Sequence, residues 1–289
     1  KLARKYGRDH FGEHKTEIIS CLNSFNGRTL FTVSVGGQPK YSKDYAPLPQ
    51  GITHVPFNDI AALEAAINEN TCAVIIEPIQ GESGILPATQ EYLQAARRLC
   101  DEHGALLILD EVQTGMGHTG KLFAYEHYGI TPDIISSAKA LGGGFPIGAI
   151  LTTDKIAPTF GPGTHGSTFG GNPMACAVGS RAFDIINAPE TLAHVEKQGQ
   201  KLQTALRELG EKTGAFKEVR GMGLLIGCVL ADKYQGRASE ITAAALKHGL
   251  MVLVAGADVV RLAPSLLLND EDMAEGLKRL EAALTEWLV

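Results

Sequence analysis

The sequence lacks the features that mark several classes of protein. Its five cysteines are odd in number and widely spaced, and none forms a CxxC pair, which excludes a disulfide framework and a zinc knuckle. No apolar run reaches the length of a membrane span. The net charge of −6 lacks the basic excess of a nucleic-acid-binding surface. We therefore expect a cytoplasmic protein that has no metal site and neither nucleic acid nor a membrane as a partner.

The length of 289 residues fits one large domain and a smaller one. The 33 glycines are spread over the chain rather than gathered in one tract, which indicates many turns around a site. The chain opens at Lys1 without an initiator Met, in what resembles the middle of a helix. We therefore expect an N-terminal portion to be missing.

Four short, almost continuously apolar runs are typical of strands covered on both faces. They lie at 16–22, 72–76, 105–109 and 133–136. Segments with helical spacing of apolar residues lie between them, at 59–68 and 90–103. This alternation predicts βαβ units and a mostly parallel sheet, the α/β class.

The pattern changes near Pro189. A long amphipathic helix follows, and the remaining elements are strands near 222–230, 250–254 and 259–263, a helix at 238–248 and a final helix. This is typical of an α+β layer. We predict a large domain over 1–188 and a smaller C-terminal domain over 189–289.

Two side chains that follow predicted strands stand out, because an open parallel sheet binds ligands beyond the carboxyl ends of its strands. Lys139 lies between alanines before three glycines, where a partly desolvated amine is a nucleophile toward an aldehyde. Asp110 ends an apolar strand, where a buried carboxylate needs a partner. It either caps a helix or forms a salt bridge with a nearby cation, or it pairs with a cationic ring nitrogen. A Schiff-base lysine with such an acid is the pairing that pyridoxal phosphate enzymes need.

Three other motifs point to different chemistry and match poorly. Residues 115–120 fit GxGxxG but do not open a helix directly after a strand. With Lys121 they approach a P-loop, but Leu122 replaces the required Ser or Thr. The run 165–168 contains His and Ser without a GxSxG elbow. A nucleotide-binding module that uses the glycine-rich segment after Gly115 is nevertheless one alternative, and tight binding of ATP or NAD would support it.

Four longer motifs carry a family resemblance. They read LDEVQTG at 109–115, SAKALGGG at 137–144, EPIQGE at 77–82 and HGSTFGGNP at 165–173. Together they resemble the class III (ornithine/GABA-type) aminotransferases, pyridoxal 5′-phosphate enzymes of the aspartate aminotransferase fold. Segments 31–41 and 259–265 are similar to the acetylornithine and succinylornithine subgroup. The resemblance extends over essentially the whole chain.

The resemblance implies a set of cofactor contacts. Lys139 would hold the cofactor as a Schiff base and then shuttle the proton. Asp110 would bond the pyridine nitrogen, Gln113 the phenolic oxygen, and Phe25 would stack on the ring. Thr168 would reach the cofactor phosphate of the neighbouring subunit, which implies a homodimer with shared active sites.

The resemblance also implies transamination between N-acetylornithine or N-succinylornithine and 2-oxoglutarate, giving the semialdehyde and glutamate, in arginine metabolism. Arg261 would bind the α-carboxylate of glutamate or 2-oxoglutarate, and Arg28 the far carboxylate of the acylornithine. Ser167 would lie near the substrate. Glu82 would pair with Arg261 for the amine donor and swing away for the dicarboxylate. A surface ion pair is the alternative for each arginine.

Some positions depart from the subgroup. Asn26 replaces a usual His, His118 a usual Arg and Ser83 a usual Gly. In the family, a turn that precedes the segment corresponding to Lys1 holds the cofactor phosphate with its backbone amides. Two alternatives follow: a related ω-aminotransferase of the ornithine or GABA type, or an inactive fragment or non-catalytic relative.

Overall fold

The structure is a computed structural model that describes residues 1–288. Up to residue 110 the helices and strands are α1 (Leu2–Phe11), β1 (Glu17–Cys21), α2 (Leu30–Val35), α3 (Pro39–Ser42), β2 (Ile52–Val55), α4 (Ile60–Ala66), β3 (Thr71–Ile76), β4 (Ile79–Gln80), β5 (Leu86–Pro87), α5 (Gln90–His103) and β6 (Leu106–Asp110).

The remaining elements are β7 (Ile134–Ser137), β8 (Ala149–Thr152), α6 (Pro173–Ile186), α7 (Pro189–Thr213), β9 (Phe216–Met222), β10 (Leu225–Leu230), α8 (Ala238–Lys247), β11 (Leu253–Val254), β12 (Val259–Leu262) and α9 (Asp270–Leu288). Several short 3₁₀ turns connect them, one of which, Lys139–Gly142, directly follows β7.

The described chain forms two compact units that are not simple halves of the sequence. The first comprises Lys1–Pro78, Ala88–Gln113 and Ala124–Phe183. The second comprises Asp184–Val289 together with two short inserts, Ile79–Pro87 and Thr114–Phe123. The sequence pattern placed the change of character near Pro189; the two inserts leave no such trace because each is only about ten residues long.

The first unit contains a six-stranded sheet in the order β2-β1-β3-β6-β7-β8. All neighbouring strands are parallel except β7 and β8, which are antiparallel. The apolar strands are covered by helices, and α1 packs Leu2 and Tyr6 against Ile18, Cys72 and Leu106 of the sheet. Burial of both faces explains why four of these strands read as continuous apolar runs.

Local signals fix the ends of the connecting helices in this unit. The Asp59 side chain accepts the backbone N–H of Ala62 at 2.9 Å and caps α4. The Thr89 hydroxyl accepts the N–H of Tyr92 at 3.1 Å and caps α5. Helix α5 then ends at Gly104, whose φ of +61° suits a residue without a Cβ.

The second unit contains a four-stranded antiparallel sheet in the order β11-β12-β10-β9. Helices α7, α8 and α9 bury their apolar faces on it, with Val195, Leu206, Ile241 and Leu284 among the fully buried side chains. The β4–β5 hairpin belongs to this unit, and its Ile79 and Ile85 pack with Leu225, Val229 and Val259. This apolar contact packs the hairpin against the four-stranded sheet.

The structure confirms the predicted α/β class with a mostly parallel sheet, and the four apolar runs are β1, β3, β6 and β7. The predicted strand near 222–230 is β10, and the turn at Gly223 separates it from β9, the strand that precedes it. Strands β2, β4, β5, β8 and β9 and helices α2, α3 and α6 were not predicted. The division into domains at 188/189 stays a prediction. No helix among residues 1–288 is both long and apolar enough to cross a membrane.

Candidate active site

Asp110 is the last residue of β6 and pairs in register with Ser136 of β7. The Val112 N–H donates to Asp110 Oδ1 at 3.1 Å, which holds the carboxylate at the end of the strand. Burial raises the pKa of the Asp110 carboxyl above its ordinary range, and this N–H and the charge of Lys139 oppose the increase only in part. Asp110 is therefore a carboxylate in a site that favours a cationic partner.

Glu111, the next residue, was missed by the sequence analysis. Its side chain is almost completely buried, and its two carboxylate oxygens accept the backbone N–H groups of Ala124 and Tyr125 at 2.9 and 2.8 Å. Its own N–H donates to the Ser136 carbonyl at 3.0 Å. Glu111 thus ties the chain beyond β6 to both β7 and the segment that starts at Ala124. Only its position after Asp110 could have drawn attention to it.

Lys139 begins the 3₁₀ turn after β7, the strand beside that of Asp110. Its φ is +49°, a left-handed conformation that an L-residue adopts only when its surroundings impose it. Gly143 and Gly144 follow with φ of +53° and +108°. A Cβ at Gly142 would lie 2.8 Å from the Ile147 side chain. The glycines therefore allow the backbone after Lys139 to turn tightly. The Lys139 side chain is exposed and lies at the same edge of the sheet as Asp110.

Phe25 lies in the loop after β1, and its backbone N–H donates to the buried carboxylate of Glu77 at 2.9 Å. Its ring meets that of Tyr41 edge-on, with the centroids 5.9 Å apart. The guanidinium carbon of Arg28 lies 4.2 Å from the Tyr41 ring centroid and 5.6 Å from that of Phe25. The structure thus brings Phe25 and Arg28 together around Tyr41, a residue that sequence analysis did not single out.

Three further predicted residues lie in turns and loops of the same unit. Gln113 is half-buried and follows Asp110 by three positions. Ser167 and Thr168 are exposed, in the segment before α6. The Ser167 hydroxyl accepts the Gly170 N–H at 3.0 Å, which shapes that segment locally. The roles that the resemblance implies for these three residues stay predictions.

Glu82 and Arg261 form an ion pair within the second unit. Arg261 Nη1 donates to Glu82 Oε1 at 2.9 Å and to the Gly81 carbonyl at 3.1 Å. Both side chains are largely buried, with 13% of Arg261 and 28% of Glu82 exposed. The pair joins the β4–β5 hairpin to β12, and a partly desolvated guanidinium of this kind suits recognition of a carboxylate.

The segment with the nucleotide-binding motifs adopts turns. In the part of the chain that the structure describes, no α-helix begins directly after residues 115–120. These residues therefore have no helix N-terminus at which to hold a phosphate. Instead Gly117 and Leu122 close the loop through a backbone hydrogen bond of 3.2 Å. His165 stacks on Phe160 with the ring centroids 5.5 Å apart. The contexts that a dinucleotide fold or a hydrolase elbow needs are therefore missing from these described segments.

Comparisons with known proteins agree with this geometry. The family model described as aminotransferase class-III matches residues 1–284. Acetylornithine aminotransferase of Neisseria meningitidis serogroup B is 83% identical over 287 residues, which cover 99% of this chain and 72% of the relative. Succinylornithine transaminase/acetylornithine aminotransferase of Pseudomonas aeruginosa is 58% identical over 286 residues, covering 99% and 70%.

Solved structures give the same result. N-acetylornithine aminotransferase from Stenotrophomonas maltophilia superposes with a TM-score of 0.85 at 40% identity, covering 99% of this chain and 70% of that one. Ornithine aminotransferase from Toxoplasma gondii superposes with a TM-score of 0.92 at 31% identity, covering 99% and 68%, and its crystal structure has partial occupancy of pyridoxal phosphate at the active site.

Proposed function

Because the chain belongs to the class III aminotransferases, we propose that it moves the terminal amino group of an N-acylornithine, acetylated or succinylated, to 2-oxoglutarate. The products are the acylated semialdehyde and glutamate. The chain is an aminotransferase and its cofactor is pyridoxal 5′-phosphate. The names of its relatives and the arrangement of Glu82 and Arg261 support the choice of substrates.

Residues of the first unit fit this cofactor. Asp110, whose pKa burial raises, gains a cationic partner in a protonated pyridine nitrogen. Asn26 Oδ1, beside Phe25, is buried and has no hydrogen-bond partner among residues 1–288, which leaves an acceptor for a bound group. When bound, the cofactor supplies an electron-accepting ring that stabilises charge at the carbon losing its proton.

The chain's own residues have separate tasks in this proposal. Asp110 would hold the ring nitrogen in its charged form, and Gln113 would hydrogen bond to the phenolic oxygen. Phe25 covers one face of the ring and limits water access. The Lys139 amine is the nucleophile that anchors the cofactor and the base that carries the proton. Placement of Asp110 at the end of β6 and of Lys139 just beyond the end of the adjacent β7 is the observation that carries this assignment.

Two arginines divide the recognition of carboxylates. Arg261 binds the α-carboxylate of glutamate or 2-oxoglutarate after Glu82 rotates away, and Glu82 neutralises Arg261 when the amine donor is bound. Arg28, held on the Tyr41 ring, binds the distal carboxylate of the acylornithine, with Ser167 near the substrate. The two arginines thereby serve two substrates whose carboxylates lie at different distances from the amine.

The proposal includes a homodimer that shares its active sites. Thr168 serves the cofactor phosphate of the neighbouring subunit. The apolar side chains beside it are strongly exposed in this single chain, with Phe169 82% and Met174 65% accessible. Exposed apolar groups of this size are typical of protein interfaces. We place the enzyme in the cytoplasm, in arginine metabolism, with neither nucleic acid nor a membrane as a partner.

A panel of amino donors tests the proposal. The full-length protein, supplied with pyridoxal phosphate and 2-oxoglutarate, is assayed with N-acetylornithine, N-succinylornithine, ornithine and 4-aminobutyrate. We expect kcat/KM to be highest for one of the two acylated donors. A higher kcat/KM for ornithine or 4-aminobutyrate would identify a different ω-aminotransferase. No transfer from any of the four would contradict the proposal.

A further inference from the structure

The turn that carries Glu82 contains a strained backbone. Gly84 has φ of +108°, and the next residue, Ile85, has φ of +51°. A β-branched residue rarely adopts a left-handed conformation, because its Cβ crowds the backbone, and such strain persists only where the surroundings impose it. Ile85 is completely buried, so packing of its side chain is one source of that constraint.

Gly227 of β10 provides the seat for Ile85. A Cβ at Gly227 would lie 2.8 Å from the Ile85 Cβ and 3.0 Å from a methyl of Val259. Contacts under 3 Å do not occur for real Cβ atoms, so any larger residue at 227 displaces Ile85. The missing side chain of Gly227 is therefore what lets the strained turn lie on the sheet.

Two arginines flank this seat. Gly227 pairs in register with Arg220 of β9 on one side and with Arg261 of β12 on the other. Residues directly opposite one another on neighbouring strands point to the same face of a sheet. Arg220, Gly227 and Arg261 therefore form a row across the sheet, on the face that receives Ile85.

Both arginines hold the backbone of the turn. Arg220 Nε donates to the Gly84 carbonyl at 3.0 Å, and Arg261 Nη1 donates to the Gly81 carbonyl at 3.1 Å. Arg220 also pairs with the exposed Glu218 at 3.3 Å. The backbone from 81 to 85 is thus fixed at both ends, while the Glu82 side chain contacts Arg261 between them.

We propose that Arg220 is a positioning residue for the Glu82–Arg261 pair, and that Gly227 sets the seat on which this pair is assembled. The inference deepens the proposed function, since it rests on Glu82 alternating with a substrate carboxylate. With the turn fixed, only the Glu82 side chain has to move between the two half-reactions. A loosened turn lets Glu82 drift from Arg261 and leaves the guanidinium unpaired when the amine donor binds. A dicarboxylate is less affected, because it brings its own carboxylate to Arg261.

The test uses Arg220→Ala in the full-length enzyme, with Glu218→Gln as the matched control that removes only the exposed ion pair. Without the charged hydrogen bond to Gly84, we expect kcat/KM for the acylornithine to fall about tenfold and that for glutamate to change less than about twofold. We also expect the backbone amides of residues 81–85 to exchange hydrogen faster in Arg220→Ala than in the parent enzyme. Their exchange rates stay unchanged in Glu218→Gln. If Arg220→Ala does not fold, Arg220→Lys and Gly227→Ala give the same signs.

Equal losses in both half-reactions would overturn the inference, because they indicate a general loss of structure. Unchanged exchange at residues 81–85 would overturn it too. These outcomes are distinct from failure of the proposed function, in which the unaltered enzyme transfers no amino group. The exchange measurement does not depend on activity and still tests the contact between Arg220 and the turn.

Discussion

The buried carboxylate of Glu77 accepts the backbone N–H of Phe25 at 2.9 Å, which connects the residue after β3 to the loop after β1. Phe25 is the proposed cover of the cofactor ring. The contact explains how a loop residue keeps a fixed position without belonging to a helix or strand.

Glu77→Ala leaves the Phe25 N–H without its acceptor. We expect the free energy of unfolding to fall by about 1 kcal/mol, because the partly buried Phe25 N–H then lacks a hydrogen-bond acceptor. Glu77→Gln keeps one acceptor oxygen and loses less. Urea denaturation of both variants measures the difference, and an alanine variant no less stable than the glutamine variant would show that the contact contributes nothing.

Asp110→Asn separates stability from activity. Because burial raises the pKa of Asp110, the native state keeps this proton to higher pH than the unfolded chain does. The contribution of Asp110 to stability is therefore greatest below its ordinary pKa of 3.8 and declines as the pH rises through the native pKa. We expect the asparagine variant, free of cofactor, to be more stable than the parent at neutral pH, with the gain vanishing in acid.

The same substitution removes the charge that we propose as the partner of the ring nitrogen. We expect kcat to fall about 10²–10³-fold, as for the loss of one preorganised electrostatic contact. Denaturation across a pH series and steady-state kinetics check the two halves of this prediction. A variant that is less stable at neutral pH, or that retains full activity, would contradict the assignment of Asp110.

Tyr41 supports the proposed distal arginine. The Arg28 guanidinium lies 4.2 Å from its ring centroid, an arrangement that contributes about 0.5–1 kcal/mol at exposed sites. We expect Tyr41→Leu to raise KM for the acylornithine about two- to fivefold, and Tyr41→Phe, which keeps the ring, to have little effect. We expect Arg28→Ala to weaken use of the acylornithine more strongly than use of glutamate. Equal losses for the two substrates would refute the division of labour between Arg28 and Arg261.

Gly199 of α7 packs directly on the turn between β9 and β10. A Cβ at Gly199 would lie 2.3 Å from the Gly223 carbonyl oxygen, a backbone atom that cannot move without displacing the turn. We expect Gly199→Ala to lower the free energy of unfolding by about 1–3 kcal/mol. Gly161→Ala, at a site with open space, is the control and changes stability by less than about 0.5 kcal/mol. Equal midpoints in urea would contradict the close packing.

Periodicity and strand-end position predicted the central strands and the edge that carries Asp110 and Lys139, because burial on both faces leaves a strong apolar signal. Strand β8, with Ile150 and Leu151 half-exposed, follows a glycine-rich turn and lacks that signal. The inserts that join the second unit leave no signal either, since their affiliation depends on tertiary packing of residues such as Ile85.

The site shows the same limit. Position after a strand pointed to Lys139 and Asp110, and the family resemblance pointed to Glu82; the roles of all three stay predictions. Contacts between residues far apart in sequence, such as Glu77 with Phe25 or Arg220 with Gly84, required the structure. Glu111 was missed because no sequence pattern marks a buried carboxylate that accepts two backbone N–H groups.

Borohydride trapping tests whether Lys139 anchors the cofactor. The full-length protein is incubated with pyridoxal phosphate, reduced with borohydride, digested and mapped by mass spectrometry. We expect the phosphopyridoxyl label on the peptide that contains Lys139, and no label together with no transaminase activity in Lys139→Ala. A label on a different lysine, or full activity in Lys139→Ala, would contradict the account.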